Sequence, residues 1–321
     1  MPISNYPHGF ANGLTVRGLP INLAHPGKVF FLNNSAVVAD GGIGGSDSNI
    51  GSYQKPFSTL SGAISNCTAS RGDIIMVMPG HTETISSATA LTLSVAGVAI
   101  VGLGVGTMRP TFTLDTANTA TINVTAANIS ISNCLFVANF LAIAALFTTT
   151  TAKGFSLNNC EFRDTTSVLN FKVIVDTNTT SNDTDGLSII ECQMNGLGAT
   201  SGSCLVKMDG TNRGLTIKDN IVKHAATSTA GLMPIAAGKV VTDVDISRNV
   251  ISLVGAQAAT TGIIITTDGS TNAGIIRYNL INSLDDTSEI LVTASSGFMF
   301  MENKYSSSVA LSGYTLPAAD A

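Results

Sequence analysis

The sequence predicts an all-β fold: a right-handed parallel β-helix solenoid of about nine coils, with a short N-terminal capping helix and an extended N-terminal arm. Three observations predict it. An eight-residue pattern (apolar, any, apolar, any, any, Asn or Cys, any, apolar) recurs seven times with unvarying spacing between residues 129 and 305. Its first two apolar slots lie two apart and share one strand face, whereas the step of three to Asn or Cys demands a bend. The stretches between copies read as further strands rather than helices. Repetition of this kind means that each unit buries its face only against the next.

The copies are Ile129-Ile131-Cys134-Phe136, Phe155-Leu157-Cys160-Phe162, Leu187-Ile189-Cys192-Met194, Leu215-Ile217-Asn220-Val222, Val244-Ile246-Asn249-Ile251, Gly274-Ile276-Asn279-Ile281 and Phe298-Phe300-Asn303-Tyr305. Two outward residues sit on each bend, as in Asn158-Asn159, Lys218-Asp219 and Ser247-Arg248. Cys134, Cys160, Cys192, Asn220, Asn249, Asn279 and Asn303 then form one inward structural ladder. Stacked Asn amides bond from coil to coil, and Cys fills the same slot as a small hydrophobe. Leucine-rich repeats share part of this consensus but want Leu three residues before the first slot, where Ala126, Ala152, Thr184, Asn212, Val241, Thr271 and Ser295 stand. They also want a helical return path. Here the returns read as strands at 121–124, 173–175, 205–208, 263–266 and 290–292.

In chain order, residues 1–28 form the arm, where Pro and Gly recur too often for a helix. A strand follows at 28–33, then a glycine-rich loop at 40–51 that lacks the Gly-Lys-Ser/Thr of a phosphate cradle. Phe57, Leu60, Ile64 and Cys67 fall on one helical face, so a capping helix is expected near 57–68, started by Ser58 or Lys55-Pro56. Coil strands at 73–80 and 98–102 lead into the seven copies. The β-helix spans 29–308, and 309–321 is a C-terminal tail.

Net charge of −5 and a pI near 5.3 leave no basic run to neutralise phosphates, so nucleic acid is not an expected partner. No apolar run reaches the roughly 20 residues of a membrane span, so no membrane is expected either. The first residues show no secretory signal pattern. Three of the five cysteines occupy ladder slots, which suits a reducing compartment better than a disulfide framework.

The order Gly44-Ser-Asp, then Pro56-Phe-Ser-Thr-Leu-Ser-Gly-Ala-Ile, then Gly72-Asp-Ile-Ile-Met-Val-Met-Pro-Gly resembles the opening of right-handed β-helix proteins of the pectin-lyase-like superfamily. That resemblance covers roughly residues 40 to 305 and implies the fold, not an activity. The arm, Tyr6-Pro-His-Gly-Phe-Ala-Asn-Gly-Leu-Thr-Val-Arg-Gly-Leu-Pro-Ile with His25-Pro-Gly-Lys-Val-Phe-Phe, resembles the N-terminal segment of tailed-phage virion proteins. It implies a capsid decoration (cement) protein on the virion surface, assembled in the host cytoplasm and bound to the major capsid protein. Tyr6, Phe10, Leu14, Val16, Arg17 and Leu19 are the expected docking residues, with the extended backbone free to add a strand to a partner sheet. The resemblance also implies a homotrimer. The alternative is a tail-spike or surface β-helix that binds or degrades polysaccharide.

Catalysis is weighed against this. Asp176 and Asp209 end return strands in successive coils and are the acids best placed to stack; most other acids sit in turns, where Asp is expected. Trp is absent, Tyr numbers five, and neither Asn-Thr-Asp nor Gly-His-Gly occurs. The expectation is therefore no enzyme and no catalytic residue. No cofactor or metal is expected: His8, His25, His81 and His224 are scattered, and Asn182-Asp-Thr-Asp-Gly186 lacks the downstream Glu of a calcium loop. Gly102-Leu-Gly-Val-Gly106 leads into Met108-Arg109-Pro110 rather than a helix, excluding a dinucleotide fold. Residues 140–147 alternate as a strand apolar on both faces. One face, Phe140, Ala142, Ala144 and Leu146, is expected to meet a neighbouring copy.

Overall fold

The computed structural model describes residues 15–16, 19–20, 27–34, 42–198, 204–225, 232–253, 264–266, 271–283, 297–307 and 313–314. They form an all-β solenoid of parallel strands. Wall one stacks ten strands from Val29–Leu32 through Ile74–Val77, Ala99–Gly102 and Ser130–Ser132 to Gly274–Arg277 and Phe298–Met301. Wall two also has ten strands, from Thr82–Ile85 to Lys304–Ser307, where Gly313–Tyr314 adds antiparallel to the last. Wall three has five: Leu91–Leu93, Ile122–Val124, Phe147–Thr149, Val173–Asp176 and Cys204–Lys207. Met233–Ile235 and Ile264–Thr266 pair as a separate two-stranded sheet. The coil count therefore differs from the expected nine, because the two long walls and the third do not run through the same number of rungs.

The repeat explains the walls. Its second slot builds one inward column on wall one, with Ile100, Ile131, Leu157, Ile189, Ile217, Ile246 and Ile276 in successive register. Its last slot builds another on wall two, with Phe112, Phe136, Phe162, Met194, Val222, Ile251, Ile281 and Tyr305 in register. These side chains are all buried. Between the walls the chain turns through a residue with positive φ just before the Asn/Cys slot: Asn133, Asn159, Glu191, Asp219, Arg248, Tyr278 and Glu302, at φ between 47° and 58°. A non-glycine residue there costs of order 1 kcal/mol. The regular bond from each corner N–H to the next coil offsets it, as in Asn159 N–H to Ile190 O at 3.0 Å and Asp219 N–H to Ser247 O at 3.1 Å. Ser247 departs from the expected outward corner and is fully buried.

The helix is shorter than expected, Leu60–Ser65, and its N-cap is Thr59. Phe57 is not helical; it pairs with Leu32 beside the first rung of wall one. The early start fails because Asp47, from the glycine-rich loop, takes the Ser58 and Thr59 amides at 3.0 and 2.9 Å and both hydroxyls, holding them extended. Gly62 is required where it stands, since a Cβ would lie 2.4 Å from the Asp47 carboxyl. Leu60, Ala63 and Ile64 face the core, and the helix packs on Val29–Leu32 and Leu91–Leu93. Among the described residues, no helix is long and apolar enough to cross a membrane.

Candidate functional site

All seven ladder residues are buried at one corner. Asn220, Asn249 and Asn279 each donate Nδ2–H to the Oδ1 of the next Asn at 2.9 Å and to a wall-one carbonyl, that of Ile189, Ile217 and Ile246 respectively. Asn303 closes the series on Ile276 O. The cysteines have weaker links: Cys160 N–H meets Cys192 Sγ at 3.4 Å. Burial pushes the Cys134 thiol well above its usual range, so this column is structural rather than nucleophilic.

Of the docking residues, Tyr6, Phe10, Leu14 and Arg17 lie outside the described residues. Val16 and Leu19 fall in strands Thr15–Val16 and Leu19–Pro20, which pair antiparallel. The arm thus folds back here, a correction to a backbone extended throughout: two of its strands already bond each other. The root of the arm is well defined. Fully buried Asp73 accepts the Lys28 and Thr68 amides, each at 2.7 Å, and the Arg71 guanidinium through Nε and Nη2, each at 2.7 Å. Burial works to raise the Asp73 pKa, but the Arg71 fork and the two amides together hold it lowered.

The expected two-faced strand at 140–147 needs correction. The strand begins only at Phe147–Thr149. Ala142 takes φ +45°, which ends the alternation, and the segment bridges instead to Leu169 and Phe171. Leu146 is fully buried in the core and so is not an interface residue; Phe140 packs against the core, and only Ala144 of the four is exposed. The large apolar side chain this segment does expose is Leu141, at 57%, near Val168 at 54%.

One charged constellation gathers on wall three. Register places Asp176 beside Lys207, whose Nζ lies 3.6 Å from Asp176 Oδ1 and 2.5 Å from Asp209 Oδ2. The Asp209 amide is fixed by Thr177 Oγ1 at 2.9 Å. Asp176 Oδ1 is buried and makes no hydrogen bond. Burial raises the Asp176 pKa although Lys207 opposes it. Burial would lower Lys207, yet its hydrogen bond to Asp209 and the charge of Asp176 hold it raised. A protonatable acid and a second carboxylate thus share one ammonium. The pair of acids is legible in the sequence; the lysine between them is signalled only by its place two residues before Asp209.

The remaining candidates are accounted for locally. His81 is buried and accepts the Asn34 amide at Nδ1. Asp183 takes the Asn178 side-chain amide, and Asp185 takes the Arg213 amide. Among the described residues, no group of three or more His, Cys, Asp or Glu is placed to hold a metal.

No family profile and no curated protein matches the chain. Two solved structures are similar in path. One is a rhamnogalacturonan lyase, 14% identical over 86% of this chain and 73% of that one, with TM-score 0.46. The other is a selenomethionine derivative of the GH136 lacto-N-biosidase from Eubacterium ramulus, 10% identical over 87% of this chain and 68% of that one, with TM-score 0.44. Both are enzymes by name. The expectation of no enzyme is corrected accordingly: absent Trp and absent pectinase signatures do not set this chain apart from catalysts. Identities this low assign no activity to it.

Proposed function

We propose that the chain is a structural protein of a tailed-phage virion that decorates the capsid surface. It docks on the major capsid protein through residues 1–28 and associates with itself as a trimer. The observation that carries this reading is the root of the arm. The segment that resembles phage virion proteins leaves the rod at its helix-capped end, where buried Asp73 pins the Lys28 amide. A docking arm needs such a rigid exit, because only then does binding of the arm orient the body. Exposed Leu141 and Val168 offer a small apolar contact for a second copy. The test is imaging of particles that contain the chain, together with co-sedimentation of full chain and a 28–321 variant on bare shells. Rods on the capsid surface, and loss of binding by the shortened chain, are expected. Location elsewhere on the particle, or undiminished binding without the arm, overturns the reading.

A second reading, action on a polysaccharide, is favoured by Asp176, Lys207 and Asp209. An acid raised by burial beside a carboxylate held by the same ammonium is the arrangement that separates a proton donor from an ionised partner. Release of reducing ends or unsaturated products from bacterial surface polysaccharides, abolished in Asp176→Asn, is its expected signature. Product release that persists in that variant removes this site from consideration.

A further inference from the structure

A second polar surface stands apart from both the arm and the Asp176 constellation. At the corner between walls one and two, residues 105–107, Arg109, Thr111, Asn133, Leu135, Asn159, Glu161 and Arg163 line an open cleft of about 690 Å³. That volume falls within the range of small-molecule sites. The floor is built, not incidental. Asn133 and Asn159 are left-handed corner residues, and Asn133 Nδ2 is tied to Gly102 O and Gly104 O at 2.8 and 3.0 Å. Arg109 lies across three coils: Nε donates to Asn133 Oδ1 at 3.2 Å, Nη1 to Glu161 Oε2 at 3.3 Å, and Nη2 to the Asn159 carbonyl. Its side chain is 16% exposed, so the guanidinium is held in place before any ligand arrives.

Arg163 supplies the accessible charge. Its Nε and Nη2 both bind Glu161 Oε1, at 3.0 and 2.6 Å, while the side chain stays 47% exposed. Two guanidinium groups therefore share one carboxylate, leaving one positive charge in a concave site on a chain of net charge −5. The rim is a loop fixed by its own bonds, Met108 N–H to Val105 O and Gly80 N–H to Met108 O, at 3.1 and 2.8 Å. It presents Val105, 81% exposed, over the cleft, with the Thr107 hydroxyl beside it.

We propose that this cleft binds a carboxylated sugar residue, such as the acidic end of a surface glycan. A guanidinium with a free edge recognises a planar carboxylate. The mixed lining of Val105, Leu135, threonine hydroxyls and Asn amides matches a sugar ring, which is apolar on its faces and polar at its edge. A bare inorganic anion would leave most of the cleft unfilled. One surplus charge is too little for a nucleic-acid backbone.

The test uses the full-length chain in solution with three probes: glucuronic acid, glucose and acetate. Glucose differs from glucuronic acid by the carboxylate, and acetate lacks the ring. Binding read by NMR titration is expected for glucuronic acid, with glucose and acetate each weaker by about tenfold or more. Arg163→Gln is expected to reduce glucuronic acid binding by a similar factor, and Arg163→Lys, which keeps charge but not the planar fork, by less. A circular dichroism spectrum matching that of the parent confirms that each variant is folded. Equal binding of acetate reduces the site to an anion site and overturns the sugar assignment. Equal binding of glucose overturns the carboxylate. Unchanged affinity in Arg163→Gln moves the ligand elsewhere and overturns the cleft. None of these outcomes touches the arm, so docking on capsids stands or falls separately.

Discussion

The two halves of the inward corner hold their coils together by different means. In the first three copies the corner slot is Cys134, Cys160 or Cys192, and the adjoining wall-two column includes Phe112, Phe136 and Phe162, stacked at 5.5 and 6.1 Å between ring centroids. Phe147 and Phe155 add edge contacts at 5.2 and 5.3 Å. In the last four copies the slot is Asn, the chain of amide bonds runs unbroken from Asn220 to Asn303, and the wall-two column becomes largely aliphatic. The backbone path is the same in both, with the same left-handed corner. A solenoid thus needs only that each rung bond its neighbour; whether rings or amides do so is free to vary along the rod.

The strongest test breaks the amide chain in its middle. Asn249→Ala removes the Oδ1 that serves the Asn220 amide and Nδ2, and the Nδ2 that serves Ile217 O. Each buried group left without a partner costs about 1–3 kcal/mol. The variant is therefore expected to lose more stability in chemical denaturation than any single packing deletion in the cysteine half. Next comes Phe136→Ala, expected to cost about 3–5 kcal/mol because Phe112, Phe147 and Phe162 all lose a ring neighbour. If Phe136→Ala proves the more damaging of the two, packing governs both halves and the contrast fails.

The wall-one strands and the ladder slot were legible because their spacing never varies, and spacing is what periodicity reads. The left-handed corner was not. Glu191, Arg248, Tyr278 and Glu302 occupy it as well as Asn and Asp do, so residue type gives no signal. Residues 140–147 misled because alternation of apolar types is blind to a single residue such as Ala142 leaving the strand region. The Arg109 cleft was invisible for another reason. Its partners Asn159 and Glu161 lie 50 and 52 residues further along, and only the stacking of coils brings them together. The Asp176 and Asp209 pair was readable because both end return strands in successive coils.

The Asp73 clamp sharpens the comparison through pH, since the Asn ladder contains no titrating group. The folded-state pKa of Asp73 is lowered, so its stabilisation is full above the unfolded value near 3.9 and is lost as pH falls through the folded value. Acid should therefore loosen the helix-capped end, at Lys28 and Thr68, before the ladder. Amide hydrogen exchange below about pH 4 is expected to show that order, and Asp73→Asn to remove the acid dependence there. Simultaneous loosening of both ends would mean that the clamp does not control its own end.

The smallest effect is expected where the two halves meet. Cys192 already stands at the head of the amide chain: its N–H donates to Asn220 Oδ1 at 2.8 Å, and its Sγ accepts the Cys160 amide at 3.4 Å. In Cys192→Asn, the new Oδ1 takes over from sulfur as acceptor. The new Nδ2 is in register to reach Asn220 Oδ1 and the Leu157 carbonyl, one coil back, as Asn220 reaches Ile189. Stronger bonds then offset a slightly larger side chain in a packed site. The stability change is expected to stay within about 1 kcal/mol. The reverse exchange, Asn220→Cys, should cost clearly more, because it strips Ile189 O and Asn249 Oδ1 of their donor and gives the Cys192 amide only a sulfur. Denaturation midpoints of the two variants decide the matter. Equal losses in both would mean that the slot senses volume alone, and that the amide chain contributes nothing beyond filling space.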